Sequence, residues 1–436
     1  MARWIGDAFA STTAADLLET LVDVSPRLAG SEGERNGAEA TRDALDEIGT
    51  RDARLSEYEI QGWTRGSSSI VADGDEIECI ALPRSPSDTA TAELVDVGYG
   101  TPEEYEAADI DGKVVMARSD VPSYHDRYIH RREKYYYAVE GGAVAFIYRN
   151  HVEGQLPPTG SVGTSSDPIG DVPAVGVSSE VGAKLARRYV GDELTVEVDA
   201  EIGDATSRNV HAELGPETDD RVLVTSHVDA HDIAEGAMDN GAGTAVLVGI
   251  AEALAAREDE LDTRVEFVAY GSEEIGLVGS SHYADQLDHG SIKAILNNDG
   301  VGRARDLQLM THGFDELSDA AATVSERFDH PIHTIPRQAP HSDHWPFVKW
   351  GVPGYHAGSA SGEQGRGWGH THADTLDKVD SRDLRMHSIL LTDLTVELAS
   401  EGFEVAHREP TEIAQALEAQ NKAEGMKVIG DWPYDE

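Results

Sequence analysis

Cysteine is nearly missing from this chain of 436 residues: Cys79 stands alone. A single thiol excludes an internal disulfide and a cysteine-built zinc cage, so any bound metal must rest on histidine and carboxylate. Lysine is scarce too, at eight of the 35 basic residues, and aromatics make up only 6% of the chain. No run of 18 apolar residues occurs, and the opening MARWIGDAFASTTAADLLETL has neither an apolar core of signal-peptide length nor a twin arginine. The expectation is a cytoplasmic protein with no membrane partner. G-x-S-x-G, a P-loop and a dinucleotide fingerprint are also absent, which leaves acyl-serine, nucleotide and NAD chemistry without support.

Acid is what the chain has in excess. Asp and Glu number 81 against 35 Lys and Arg, a net charge of −46. Such a surface repels nucleic acid and anionic lipid. It suits concentrated salt, where screening over a few ångströms removes the self-repulsion, so a halophilic source is expected. With 39% hydrophobic residues the chain can bury a sizeable core, as two domains or as one with a large insertion.

Two helices are expected between Ala14 and Gly49, the second opened by a capping box of Ser31 and Glu34 and stopped by Gly49. From about Ile77 the texture changes to short strands with Gly and Pro: DGKVVMARSD reads as turn and strand, REKYYYAVEGGAVAFIY as helix and buried strand, VPAVGVSSEVGAKLARRY as strand and capped helix. After Ser207, apolar strands (RVLVTS, RVEFVAY, KAILNND, LQLMT, GVPGYHAG) alternate with helices such as GAGTAVLVGIAEALAAR and DELSDAAATVSERF. That alternation predicts an α/β fold, a mainly parallel mixed sheet with helices on both faces. The expected division is 1–72 and 201–436 for the main domain and 73–200 for an inserted small α/β domain. VDSRDLRMHSILLTDLTVELASEG reads as a long helix capped by Asp, and EPTEIAQALEAQNKAEG as one more.

Ligands gather at the carboxyl ends of strands in such sheets. Five places fall there: His227 with Asp229, Asp239 at a helix entrance, Glu273 with Glu274, Asp299, and GHTHADT around His370. Each alone has an ordinary explanation, a solvated face or a helix cap, and Asp239 would cap the helix that follows it. Together, carboxylates and imidazoles at converging strand ends repel one another or titrate unless a multivalent cation sits among them. The donors are nitrogen and oxygen, which suits Zn²⁺, Co²⁺ or Mn²⁺. Five ligands exceed the three of a usual catalytic zinc, so two ions bridged by a carboxylate such as Asp239 are expected, about 3.5–4 Å apart.

In this order the motifs SHVDAH, AMDNGAG, YGSEEIGLVGS, LNNDGVG and GHTHADTLDKVD resemble the dizinc aminopeptidase family, whose relatives include carboxypeptidase Q. The likeness covers about Ser207 to Ala399. The stretches DIDGKVV, KYYYAVEGGAVAFI and VPAVGVS resemble the protease-associated domain that several members carry inserted. The resemblance implies the zinc exopeptidase fold, with His227 and Asp299 on one metal, Glu274 and His370 on the other, and Asp239 bridging. Glu273 is the implied general base, and Asp229 is implied to orient His227 through its other ring nitrogen. The implied activity is a metal-dependent exopeptidase, an aminopeptidase that releases N-terminal residues from peptides by a metal-activated water. Carboxypeptidase or dipeptidase action on the same site, a glutaminyl cyclase-like acyl transfer, and a receptor-like relative without catalysis are the alternatives. His372 is the other candidate histidine of its run. Gly369 stands where several relatives have a Tyr that holds the oxyanion, and His344 in HSDHWPF is a candidate donor in its place. Arg127, Arg131, Arg132 and Lys134 either bind a substrate carboxylate or pair with acidic neighbours. Side-chain preference and oligomeric state are not readable.

Overall fold

A computed structural model describes residues 3–125, 127–360 and 367–434. The chain forms two compact units: 1–60, 206–369 and 374–416 in one, and 61–205, 370–373 and 417–436 in the other. The sequence-based boundaries at 72/73 and 200/201 differ by up to a dozen residues. The reason is local: both changeovers fall inside long strands, Arg51–Ala72 and Glu193–Leu214, where strand periodicity continues unbroken.

In the first unit the strand Arg221–His227 lies parallel to Arg264–Tyr270 on one side and Ile292–Asn298 on the other. Gly354–Ser359 extends the parallel set beyond Ile292–Asn298. Antiparallel partners close both flanks, residues 210–214 against Arg264–Tyr270 and Leu307–Met310 against Gly354–Ser359, so the sheet is mainly parallel and mixed. A strand not expected from the sequence, Ile332–Ile335, pairs with Leu307–Met310. The central strands read as unbroken runs of buried Val, Ile, Leu and Ala, as strands covered on both faces must. Because four of them run parallel, His227, the loop after Tyr270 and the residue after Asn298 all emerge at one edge.

The helix Ala242–Ala255 is buried at 12 of its 14 positions and packs against Thr13–Asp23, Glu32–Ile48 and Ser381–Ala399. Small residues allow this approach: a Cβ at Gly249 would lie 2.5 Å from Ser388 Oγ of the last of these helices. Leu247 and Leu254 in this helix are fully buried, and truncating such a side chain to Ala costs about 2–5 kcal/mol. At Glu32–Ile48 the Ser31 hydroxyl accepts from the Glu34 N–H and Gly49 closes the helix at φ 90°, but the capping box is half made. The Glu34 carboxylate turns instead to the Gly30 N–H and the Ser207 hydroxyl, inside the core.

In the second unit Asp88–Asp96, Val114–Arg118, Ala145–Arg149 and Ala174–Val177 form a parallel run. Tyr135 of the helix Arg131–Glu140 packs with Phe146, Val115 and Val162 in its core. The basic group is committed within this unit: Arg127 pairs with Glu133 at 2.7 Å, Arg132 with Asp431, Arg131 donates to Ser161 O, and Lys134 Nζ donates to the carbonyls of Arg118 and Asp120. The tail holds two short helices, Pro410–Ala419 and Ala423–Val428, rather than one. No helix among the described residues is long and apolar enough to cross a membrane.

Candidate metal centre

His227 ends its strand with the side chain 1% exposed. Its Nδ1 donates to the carbonyl oxygen of Asp229 at 3.1 Å, while the Asp229 carboxylate is farther, 3.5 Å away. The expected orienting group is thus the right residue, but its backbone is the nearer acceptor. This leaves Nε2 buried and without a hydrogen-bond partner; burial opposes charge on the ring, but Glu273, Asp229, Asp239 and Asp299 together push it well above the usual histidine value, and a cation among them would take the place of that proton. Nε2 looks at two carboxylate oxygens, Asp239 Oδ1 at 3.6 Å and Asp299 Oδ1 at 3.9 Å. One imidazole nitrogen and two carboxylate oxygens held just beyond contact are a donor set that a divalent ion fits.

Asp239 does not cap the following helix. Its φ and ψ, −131° and 88°, break the helical path, and no side chain caps the helix at Gly241. The turn is held by Asp374, whose carboxylate accepts from the N–H groups of Met238 (2.6 Å) and Asp239 (3.1 Å). Burial, with Asp239 nearby, pushes the Asp374 carboxyl up to about 7.

The Asp229 carboxylate performs a second task. It accepts from the backbone N–H of Glu273 at 3.0 Å and of Glu274 at 3.2 Å, and so shapes the turn that presents both. Glu273 offers a ligand-type oxygen within 4.8 Å of those of His227 and Asp299. Burial, and then the charges of Glu274, Asp343 and Asp299, raise its carboxyl well above the usual range, against the pull of His227. Glu274 Oε2 lies 2.8 Å from His231 Nε2.

Asp299 is positioned by a chain of buried polar groups. Thr225 Oγ1 donates to Asn297 Oδ1, Asn297 Nδ2 to Ser342 Oγ, and Ser342 Oγ to Asp299 Oδ2, each at 2.7 Å. With Oδ2 so engaged, Oδ1 is the oxygen turned to His227. His344, the candidate oxyanion donor, commits its Nε2–H to Ala339 O at 2.9 Å and packs between His312 and His356. Burial holds it well below the usual histidine value, so it is neutral and turned away from that task.

His370 belongs to the 370–373 segment of the second unit. Its φ is 58°, its carbonyl accepts from the Thr159 N–H, and its Nδ1 faces Thr159 O at 3.4 Å. It is half-buried, whereas His372 is exposed.

Three contributors escaped the sequence reading. His231 carries a signal in hindsight, the four-residue spacing from His227 in HVDAH. Ser342 sits in the singled-out HSDHWPF run. Arg303, whose guanidinium Nη2 is 3.2 Å from Asp239 Oδ1, has no signal beyond following LNNDGVG.

An imidazole and carboxylates gathered at the strand ends of a mainly parallel α/β sheet are the kind of donor set that metal-dependent hydrolases use. Residues 209–395 match peptidase family M28 and residues 90–185 the PA domain. The chain belongs to peptidase family M28. The PA-domain match lies within the second unit, in sequence between residues 60 and 206 of the first. It is 28% identical over 391 residues to aminopeptidase YwaD of Bacillus subtilis, covering 86% of this chain and 81% of that one. It is 28% identical over 286 residues to leucine aminopeptidase 2 of Arthroderma otae, 63% of this chain and about half, 54%, of that longer protein. The solved structure of BSAP, a zinc aminopeptidase from Bacillus subtilis, superposes with a TM-score of 0.72 over 90% of this chain and 97% of that one, at 25% identity.

Proposed function

We propose that the protein is a zinc aminopeptidase that removes N-terminal residues from peptides with two divalent ions. The observation that carries this reading is the buried Nε2 of His227, without a hydrogen-bond partner and aimed at Asp239 Oδ1 and Asp299 Oδ1. His227 and Asp299 would hold one ion, Asp239 would serve both, and Glu274 with His370, the latter by motif order, would hold the second. When bound, the ions polarise the scissile carbonyl and acidify the attacking water. The relatives' printed names, zinc aminopeptidase and leucine aminopeptidase, support the metal and the terminal amine.

Glu273 is the proton carrier. It takes a proton from the attacking water and delivers one to the departing amide nitrogen, so that the C–N bond breaks to a carboxylic acid and an amine. Its raised carboxyl suits that exchange, since a proton carrier works best when its affinity for protons is near the working pH. Asp229 keeps the carrier and the ligand Glu274 on one rigid turn. Asp374 does the same for Asp239.

The test pairs two neighbours. Glu273→Gln keeps both ions by elemental analysis and loses about 10²–10⁴-fold in kcat on an aminoacyl anilide. Glu274→Gln weakens metal retention instead. Activity of Glu273→Gln within a few-fold of wild type at unchanged metal content overturns the assignment, and equal turnover of free and N-blocked dipeptides overturns the aminopeptidase reading. The acidic, lysine-poor surface further supports service in concentrated salt.

A further inference from the structure

Arg303 is the one guanidinium that reaches the oxygens facing His227 among the ion pairs of the described residues. Its side chain is 7% exposed. Nη2 lies 3.2 Å from Asp239 Oδ1 and 3.8 Å from Asp299 Oδ1, the same two atoms that stand 3.6 and 3.9 Å from His227 Nε2. The stem is anchored independently: Nε donates to Met238 O at 3.1 Å, and the backbone N–H donates to Ser359 Oγ at 3.1 Å. Nη2 itself makes no directed hydrogen bond to either carboxylate, so what it exerts there is charge.

The geometry points to Arg303 as a positioning residue that sets the affinity of the centre for its ion; the inference rests on the metal-centre reading above. A fixed positive charge beside the buried Asp239 and the half-buried Asp299 keeps the two carboxylates close together and aimed at His227. The same charge opposes a divalent ion on those oxygens, because like charges a few ångströms apart in a desolvated site interact strongly. No hydrogen bond from Nη2 has to break when the ion takes them. The residue thus trades binding strength for a preformed and exchangeable site.

The experiment measures zinc affinity by chelator competition and the melting temperature of stripped and zinc-loaded protein, for wild type, Arg303→Gln and Arg303→Lys. Gln is neutral but still able to donate to Met238 O; Lys keeps the charge without the planar fork. Arg303→Gln is expected to bind zinc at least tenfold more tightly, while its stripped form melts several degrees below stripped wild type and its zinc-loaded form does not. Arg303→Lys is expected to bind zinc within about threefold of wild type. Unchanged or weaker zinc binding by Arg303→Gln overturns the inference, as does Arg303→Lys matching the Gln variant. Should Arg303→Gln fail to fold, the Lys variant still decides, since a tenfold gain in affinity with the charge kept overturns the inference and wild-type affinity supports it. Wild type that binds no zinc overturns the metal-centre reading as well, whereas wild type that binds two ions beside an indifferent Arg303→Gln overturns the role of Arg303 alone.

Discussion

Replacing Asp229 by Asn tests which of its two tasks matters. The carboxylate accepts from two backbone N–H groups, those of Glu273 and Glu274, in a fully buried position. An Asn side chain offers one acceptor oxygen, so one N–H keeps a partner and the other meets an amide NH₂. A hydrogen bond to a charged acceptor contributes about 1.5–3 kcal/mol, and a buried donor left unpaired costs about 1–3 kcal/mol. Relief of repulsion works the other way, because Asp229 is among the charges that push Glu34 and Asp343 upward, after burial. At an effective dielectric of about 20, two charges roughly 7 Å apart interact by about 2 kcal/mol. Both neighbours are held near 8, however, and are largely neutral at pH 7, so little of that repulsion exists to be relieved. The net loss is about 2–3 kcal/mol, a fall of roughly 2–5 °C in the melting temperature of the zinc-loaded protein. Activity falls further than stability, at least tenfold in kcat, because a shift of about 1 Å in a reacting group costs on the order of 10²-fold. His227 keeps its acceptor, the residue 229 carbonyl, so the ion it shares with Asp299 is retained, while retention of the one served by Glu274 weakens with its turn. Asp229→Asn that melts and turns over like wild type refutes the turn-holding argument, and Asp229→Asn that loses both ions rather than one shows that the carboxylate, not the carbonyl, governs His227.

Ser342→Ala leaves Asp299 Oδ2 without its 2.7 Å donor, and zinc affinity by competition is expected to drop about 10-fold or more, the usual effect of deleting a group behind a ligand; unchanged affinity contradicts the relay. Glu266 lies far down in the usual order of acidity: burial would raise it, but His211, Tyr283 and Arg221 outweigh that and hold it at about 2 instead of 4.5. Its folded value is depressed, so its contribution of about 3 kcal/mol is complete above pH 4.5 and vanishes as pH falls towards 2. The stability gap between wild type and Glu266→Gln, from urea midpoints at matched pH, is expected to close over that window; a pH-independent gap sinks the assignment. Raising KCl from millimolar to molar is expected to raise the melting temperature as the −46 charge is screened, and a flat or falling trend speaks against service in salt.

How much of this was legible beforehand follows from what each feature depends on. The strands Arg221–His227 and Arg264–Tyr270 and the helix Asp315–Phe328 were readable because composition and period fix such elements locally. His227, Asp239, Glu273, Glu274 and Asp299 were readable because each follows a strand or opens a helix, and parallel strands bring such points to one edge. The long strands Arg51–Ala72 and Glu193–Leu214 hid the unit boundaries, since a continuing period contains no break to detect.

The sequence by itself determined the α/β alternation, the candidate donor residues and their order along the chain, and the exclusion of a cysteine cluster. Only the tertiary structure decided which atom of each residue does the work. Asp229 binds His227 through its carbonyl and the Glu273–Glu274 turn through its carboxylate, Glu34 leaves its helix cap for Ser207 across 173 residues, and Arg303 reaches Asp239 across 64. Such pairings are invisible in a linear pattern because hydrogen bonds and ion pairs are chosen by distance and burial in the folded core, where an unpaired polar group is costly and every partner present competes for it.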